Sequence, residues 1–210
     1  VARDLGWLSD DDRWEEFALM LDELQARTTV GVAEVGMACS LNEEGDLDGA
    51  FNRRVAAGSA ADDVPHAAVR ACLGSAEGRE RTLKALVSPR ETEVQIAQAY
   101  LRHRPITDAA ELRRVAAAIA GMEPSEAQVR ALEALGRHYV SDDQILEMLA
   151  ALFATTPSAS VQAAIAGILL RADLPTTSSP TLVQNLFANR LPGAVGDNTI
   201  DALLRRLQAL

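Results

Sequence analysis

Aromatic side chains are scarce in this sequence of 210 residues, at 4%, although 48% of its residues are hydrophobic. That apolar content is enough for a substantial core, which must be built mainly from Ala, Leu, Val and Ile. Alanine has the highest intrinsic helix propensity, and its small side chain lets helices pack closely. We identify no strand, so the composition predicts an all-α protein of closely packed helices.

Long apolar runs are also missing, whereas a membrane-spanning helix needs about 20 consecutive apolar residues. We therefore expect no membrane insertion by this segment. The sequence begins with Val1 rather than methionine, which leaves open whether Val1 is a true N-terminus or the chain is a fragment of a larger protein. The compartment stays open, with the cytoplasm as the default expectation.

Common catalytic motifs are absent: the sequence contains no GxSxG, HExxH, GxGxxG or Walker loop. The spacing of Glu44, Asp46 and Asp48 is similar to the start of a calcium loop. However, Val55 stands where such a loop needs its final bidentate glutamate. A solvated loop is the favoured interpretation, and we expect neither a metal ion nor a cofactor.

Basic residues are outnumbered by acidic ones, which gives a net charge of -10 at pH 7. Residues 1–63 hold fifteen acidic and five basic residues, and the remaining residues hold fifteen of each. A nucleic-acid-binding protein needs clustered Lys and Arg to displace counterions from phosphates. Since the excess charge is acidic, we expect no nucleic-acid partner.

Cysteine occurs only twice, at Cys39 and Cys72, without a CxxC motif. Both lie in apolar helical contexts, where an unpaired cysteine is usually buried as a small hydrophobic residue. We favour two buried free thiols. A disulfide remains the alternative. It requires that the two α-carbons lie within about 7 Å, and this is possible if each cysteine lies on the second helix of neighbouring helix pairs.

A helical phrase occurs three times between residues 89 and 171. Each copy opens with a proline, reaches Val-Gln or Val-Arg four or five residues later, and closes with an arginine. The closing residues Arg102, Arg137 and Arg171 are 35 and then 34 residues apart. A period in this range is typical of stacked helical repeats. A weaker copy begins at Pro65.

Apolar periodicity and capping residues extend this pattern along the chain. The predicted helices cover about residues 11–27, 30–41, 47–57, 77–87, 108–121, 125–139, 142–154, 158–171, 181–190 and 198–209, with further helices after Val64 and Pro89. The glycine and valine steps of residues 30–41 could also indicate a strand. Paired in order, the helices predict about six antiparallel pairs, with acidic capping helices in residues 1–63, repeats in 64–172 and C-terminal capping helices in 173–210.

The repeated phrase resembles HEAT and HEAT-like repeats of the armadillo type. Val69-Arg70 with Leu73-Gly74, and Val129-Arg130 with Ala134-Leu135-Gly136, carry this resemblance over roughly residues 64–172. The resemblance implies a right-handed α-α superhelix, or solenoid, that acts as a scaffold binding other proteins. Some relatives are lyases acting on linear tetrapyrroles, and a basic branch binds damaged DNA. The later turns of this chain lack the aspartate that usually precedes the second helix.

A polar stripe on the second helices is our candidate partner-binding face. Its members follow steps of four, three and four residues, which places them on one helical face. They are Glu91, Gln95, Gln98 and Arg102 in one copy, and Glu126, Arg130, Glu133 and Arg137 in the next. We expect the arginines to bind carboxylates of a protein partner. A merely solvated face is the alternative.

If Val161 is aligned with Val129, two polar positions of the stripe become apolar in the third copy, where they are Ile165 and Leu169. We include both as partner-binding candidates, since an exposed apolar patch marks an interaction site. Burial beneath the helices after Pro180 is the favoured alternative, because a repeat array needs a cap at its end. Aligning the closing arginines instead shifts this copy by two residues.

We therefore expect a non-catalytic protein-interaction or regulatory scaffold. The alternative is a lyase-like enzyme that uses the inner groove, for which Glu91, Glu126, Arg137 and His138 are the only nominated cluster. His103 and His138 occupy equivalent places and could suggest a metal site. We favour a role for these histidines at helix C-termini, where they complement the helix dipole.

Overall fold

The computed structural model describes residues 31–41, 63–172, 179–192 and 197–208, and all regular elements in these residues are helices. They are α1 (Val32–Leu41), α2 (Val64–Cys72), α3 (Ala76–Lys84), a 3-10 turn (Ala85–Val87), α4 (Glu91–His103), α5 (Ala109–Ala120), α6 (Glu126–Leu135), α7 (Asp143–Thr155), α8 (Ala159–Leu169), α9 (Ser179–Asn189) and α10 (Asp197–Gln208). The all-α prediction is confirmed for these residues. The helices predicted at residues 11–27 and 47–57, and the loop containing Glu44, lie outside them.

Short polar side chains start most of these helices by accepting a hydrogen bond from a free backbone amide. Asp108 caps α5 by accepting from the amide of Glu111. Asp142 caps α7 by accepting from the amides of Gln144 and Ile145. The observed ends of the described helices lie within a few residues of the predicted ends.

The chain divides into two compact units, which we describe separately. Unit 1 consists of Val1–Ala85 and Gln95–Arg104, and unit 2 consists of Leu86–Val94 and Pro105–Leu210. The division falls inside α4, whose first turn belongs to unit 2 and whose remainder belongs to unit 1.

Unit 1 contains a close approach between α2 and α3 at Gly78. A Cβ atom on Gly78 would lie 2.6 Å from the carbonyl oxygen of Ala67 and 2.9 Å from the amide nitrogen of Ala71. Backbone atoms cannot move aside as a flexible side chain could, so a glycine is required at this position. The helix of the weaker sequence copy after Pro65 is thus tightly packed against the helix that follows it.

A disulfide links α1 to α2 in the same unit. Cys39 and Cys72 have their α-carbons 4.5 Å apart, and both residues are fully buried. The preference for free thiols was therefore wrong. The reason is a tertiary contact that sequence spacing does not specify: α1 packs directly on α2, although the two cysteines are 33 positions apart in the sequence.

Unit 2 contains three consecutive helix pairs: α5 with α6, α7 with α8, and α9 with α10. The first helices of the pairs, α5, α7 and α9, contact one another in that order. The second helices, α6, α8 and α10, do the same. Each pair is thus packed on the next in two layers, and the core lies between the layers.

Two buried glutamines define the register between the first two of these pairs. Gln128 on α6 donates its side-chain amide to the carbonyl of Ile119, and Gln162 on α8 donates to the carbonyl of Phe153. Each acceptor lies nine residues before its glutamine, and the two glutamines are 34 residues apart. The arginine alignment of the repeats is therefore correct here, and the valine alignment is not.

Candidate functional site

An open groove of about 1070 Å³ lies along α6 and α8 of unit 2. Its walls carry four charged side chains, those of Glu126, Glu133, Arg137 and Arg171, and Thr199 of α10 also lines it. All four charged residues are exposed. Glu126, Glu133 and Arg137 belong to the predicted stripe, so the structure brings three members of that stripe to one surface.

The groove exists because α8 carries small residues where α6 carries long ones. Thirty-four residues after Glu126, Arg130 and Glu133 stand Ser160, Ala164 and Gly167, and all three of these small residues line the groove. Replacing long polar side chains by a hydroxymethyl, a methyl and a hydrogen leaves a depression beside α6. Ala163 and the apolar residues Val129, Ile168 and Leu170 complete its lining.

The two arginines lie at the same end of the groove, just after the C-termini of α6 and α8. A Cβ atom on Gly136 would lie 2.7 Å from Nη2 of Arg171 and 3.0 Å from Cγ1 of Ile168. Gly136 therefore leaves room for the guanidinium of Arg171 against the end of α6. The carbonyl end of a helix carries partial negative charge, which favours cations at this position.

Neither Arg137 nor Arg171 forms a side-chain ion pair or hydrogen bond with the residues that the structure describes. The same holds for Glu126 and Glu133 on the described surface. Within the described part of the chain, all four charged groups face solvent without a partner. The order along α6 is acidic, acidic, basic, and at 1.5 Å per residue Glu126 lies about 16 Å from Arg137 along the helix axis.

Other stripe residues take different roles. Arg130 forms an ion pair with Glu91, with 3.7 Å between Nη1 and Oε1, and it does not line the groove. Gln95, Gln98 and Arg102 belong to unit 1, where Gln95 and Arg102 are exposed and Gln98 is half-buried. Five of the eight stripe residues thus lie outside the set that lines the groove, and two of these five, Glu91 and Arg130, pair with each other.

Ile165 and Leu169 are fully buried, each with 0% of its surface exposed. Their inclusion as partner-binding candidates was therefore wrong, and the alternative of burial is correct. In the glutamine-defined register they are equivalent to Ala131 and Leu135, which are core residues of α6. The helix α10 packs on α8, as expected of an end cap.

Sequence reasoning missed Arg171, Ser160, Ala164 and Gly167 as groove residues. The signal that finds them is the alignment of the closing arginines, which carries the stripe from α6 onto these four positions. Thr199 has no such signal, because α10 does not continue the repeated phrase.

The residues nominated for an enzyme have different surroundings in the structure. Glu126 and Arg137 line the groove, but Glu91 is paired with Arg130. Nε2 of His138 accepts a hydrogen bond from the amide of Ile106, 3.1 Å away. This contact joins His138 to a residue outside α6, so the favoured role at the helix C-terminus stays a prediction. Among the described residues, no three or more metal-binding side chains form a group.

No known protein family, curated protein or solved structure matches this chain. Among the described helices, none has the length and apolar character needed to cross a membrane. What the fold and the groove define is an all-α protein with an open, mixed-charge groove on the second helices of its stacked pairs.

Proposed function

We propose that this chain is a HEAT-like helical-repeat scaffold that binds a protein partner in the α6–α8 groove. The observation that carries the proposal is that one open groove is lined by two acidic and two basic side chains, none of which has a partner among the residues that the structure describes. The proposal includes the right-handed superhelix of about six helix pairs that the resemblance implies.

The repeat architecture is supported by the packing of unit 2. Three helix pairs follow one another, with first helices contacting first helices and second helices contacting second helices. In stacked repeat proteins such pairs present a continuous surface built from equivalent positions of successive repeats. Glu133 and Gly167, and Arg137 and Arg171, are equivalent positions of this kind, 34 residues apart.

The charge pattern favours a protein partner over a nucleic acid. The two carboxylates of Glu126 and Glu133 offset the two guanidiniums, so the groove has no net positive charge. Nucleic-acid binding needs a positive surface that displaces counterions from phosphates. A protein segment, by contrast, can present carboxylates and ammonium groups at different points of the same groove.

The proposal is tested by recovering partners from a lysate of the source cells with two matched double variants. Arg137→Glu with Arg171→Glu reverses the groove arginines, and Arg114→Glu with Arg205→Glu makes the same charge change at exposed sites on α5 and α10. A partner bound in the groove is lost with the first variant and kept with the second, while the helical circular dichroism of both stays unchanged. Recovery of every partner by both variants would contradict the proposal.

A further inference from the structure

This inference rests on the proposed function and concerns the kind of protein segment that the groove binds. We propose that the groove binds an extended segment carrying a carboxylate at one end, an apolar side chain in the middle and a basic side chain at the other end. The carboxylate lies between Arg137 and Arg171, and the basic group lies over Glu126.

The carboxylate position follows from the two arginines at the C-terminal ends of α6 and α8. Two guanidiniums at one end of a groove repel each other, and an anion between them removes that repulsion. Arginine binds carboxylates through two parallel N–H donors, which makes the contact directional as well as strong. The approach of Arg171 to Gly136 brings its guanidinium next to the residue that precedes Arg137.

The middle of the groove is apolar and has little side-chain volume. Ala163, Ala164 and Gly167 supply this surface on α8, and Val129 supplies it on α6. A methyl-lined depression gains free energy by covering an apolar side chain, in proportion to the area removed from water. Apolar sites with a few charged groups at their edges fix the orientation of what they bind.

The basic position follows from the carboxylate of Glu126 at the other end, whereas Glu133 lies only about one helical turn before Arg137. Glu126 lies about 16 Å from Arg137 along α6, and an extended chain advances about 3.3 Å per residue. The basic and acidic residues of the bound segment are therefore about five positions apart. A polyphosphate or nucleic acid would bring its anions against Glu126 and is disfavoured.

The test uses an array of ten-residue peptides with acetylated and amidated ends, so that only side chains carry charge. Each peptide has one Lys, one Leu and one Asp in otherwise Ser and Thr sequence, with the Lys-to-Asp spacing varied from two to eight. We expect strongest binding near a spacing of five. Replacing Asp by Asn should weaken binding about tenfold, the effect of losing about 1.4 kcal/mol of interaction.

Charge exchange gives the decisive comparison. The Arg137→Glu, Arg171→Glu variant should bind the peptide carrying Lys in place of Asp better than the original peptide, while the Arg114→Glu, Arg205→Glu control keeps the original preference. Peptide binding that ignores the Asp, or binding of a single-stranded oligonucleotide in the groove, would overturn the inference.

The two proposals fail separately. If binding of a cellular partner depends on Arg137 and Arg171 but the wild-type protein shows no preference for peptides that carry the Asp, the inference is overturned and the scaffold function stands. If neither a groove-dependent partner nor any peptide is bound, both are overturned.

Discussion

Two buried glutamines hold the helix pairs of unit 2 together at the scale of single residues. The side-chain amide of Gln162 donates to the carbonyls of Phe153 and Asn189, and its oxygen accepts from the amide of Leu191. It thereby links α8 to the ends of α7 and α9. Gln128 donates to the carbonyls of Ile119 and Met122, but its oxygen is buried with no hydrogen-bond partner among the described residues.

Replacing each glutamine by leucine, which has a similar volume, should therefore have unequal effects. Gln162→Leu removes three hydrogen bonds and leaves buried backbone groups unsatisfied, which we expect to cost about 3 kcal/mol at roughly 1 kcal/mol per bond. Gln128→Leu removes two bonds but also an unsatisfied oxygen, so its cost should be about 1 kcal/mol. Urea denaturation of both variants measures the difference, and equal losses would contradict this account.

Asp63 gives unit 1 a pH dependence at the start of α2. Burial raises the pKa of this carboxyl, but hydrogen bonds from the backbone amide and ring of His66, with the positive charges of His66 and Arg70, outweigh burial and lower it below 3.8. A folded-state pKa below the unfolded value means that the stabilisation is present above that unfolded value. It is lost as the pH falls through the lowered pKa.

We therefore expect the stability advantage of the wild type over Asp63→Asn to be constant at neutral pH. It should shrink as the pH decreases below about 4, the ordinary range of an aspartate. Asparagine is the suitable comparison because it also caps helices but does not titrate. Thermal unfolding from pH 7 to pH 2 measures the difference, and an advantage that grows at low pH would contradict the assignment.

At the scale of helices, the disulfide fixes α1 onto α2. The two cysteines are 33 residues apart in sequence, and closing a loop of that length in the unfolded chain stabilises the folded state by about 4 kcal/mol. Disulfides persist in oxidising compartments and are rare in the cytosol. The link between α1 and α2 is therefore expected to form when the protein is kept under oxidising conditions.

Reducing agent should consequently lower the stability of the wild type but leave Cys39→Ala, Cys72→Ala unchanged. The difference should approach the same 4 kcal/mol, because the double variant lacks the link in either condition. Urea denaturation with and without reductant provides the measurement. Labelling of two free thiols in the native, non-reduced protein would contradict the pairing.

The helices themselves could be predicted from sequence, since apolar periodicity and capping residues are local properties. Even residues 30–41, whose glycines and valines could indicate a strand, contain the helix α1. The register of the third copy could not be predicted from its valine, because Val129 and Val161 are not at equivalent depths: Val129 is half-buried and Val161 is fully buried. The disulfide and the groove depend on contacts between helices, which local sequence does not specify.

At the scale of the whole molecule, α8 is the helix of unit 2 whose packing stabilises several neighbouring helices. It contacts α6 and α10 in its own layer and α7 in the other. Arg206 of α10 adds hydrogen bonds to the carbonyls of Leu169, Leu170 and Ala172 at the end of α8. In stacked arrays stability is the sum of such contacts between neighbours, so damage in one helix weakens the next.

Ile165→Asp places an unpaired carboxylate at a fully buried position of α8. Burying a charge without a partner is among the most destabilising changes, and we expect a loss of more than about 3 kcal/mol. Ile165→Val, which removes one methylene, should cost only about 1 kcal/mol. Hydrogen exchange resolved by segment should show lost protection in α6 and α10 as well as α8 for the aspartate variant, because both helices pack on α8. Loss of protection confined to α8 would show that the three second helices do not stabilise one another.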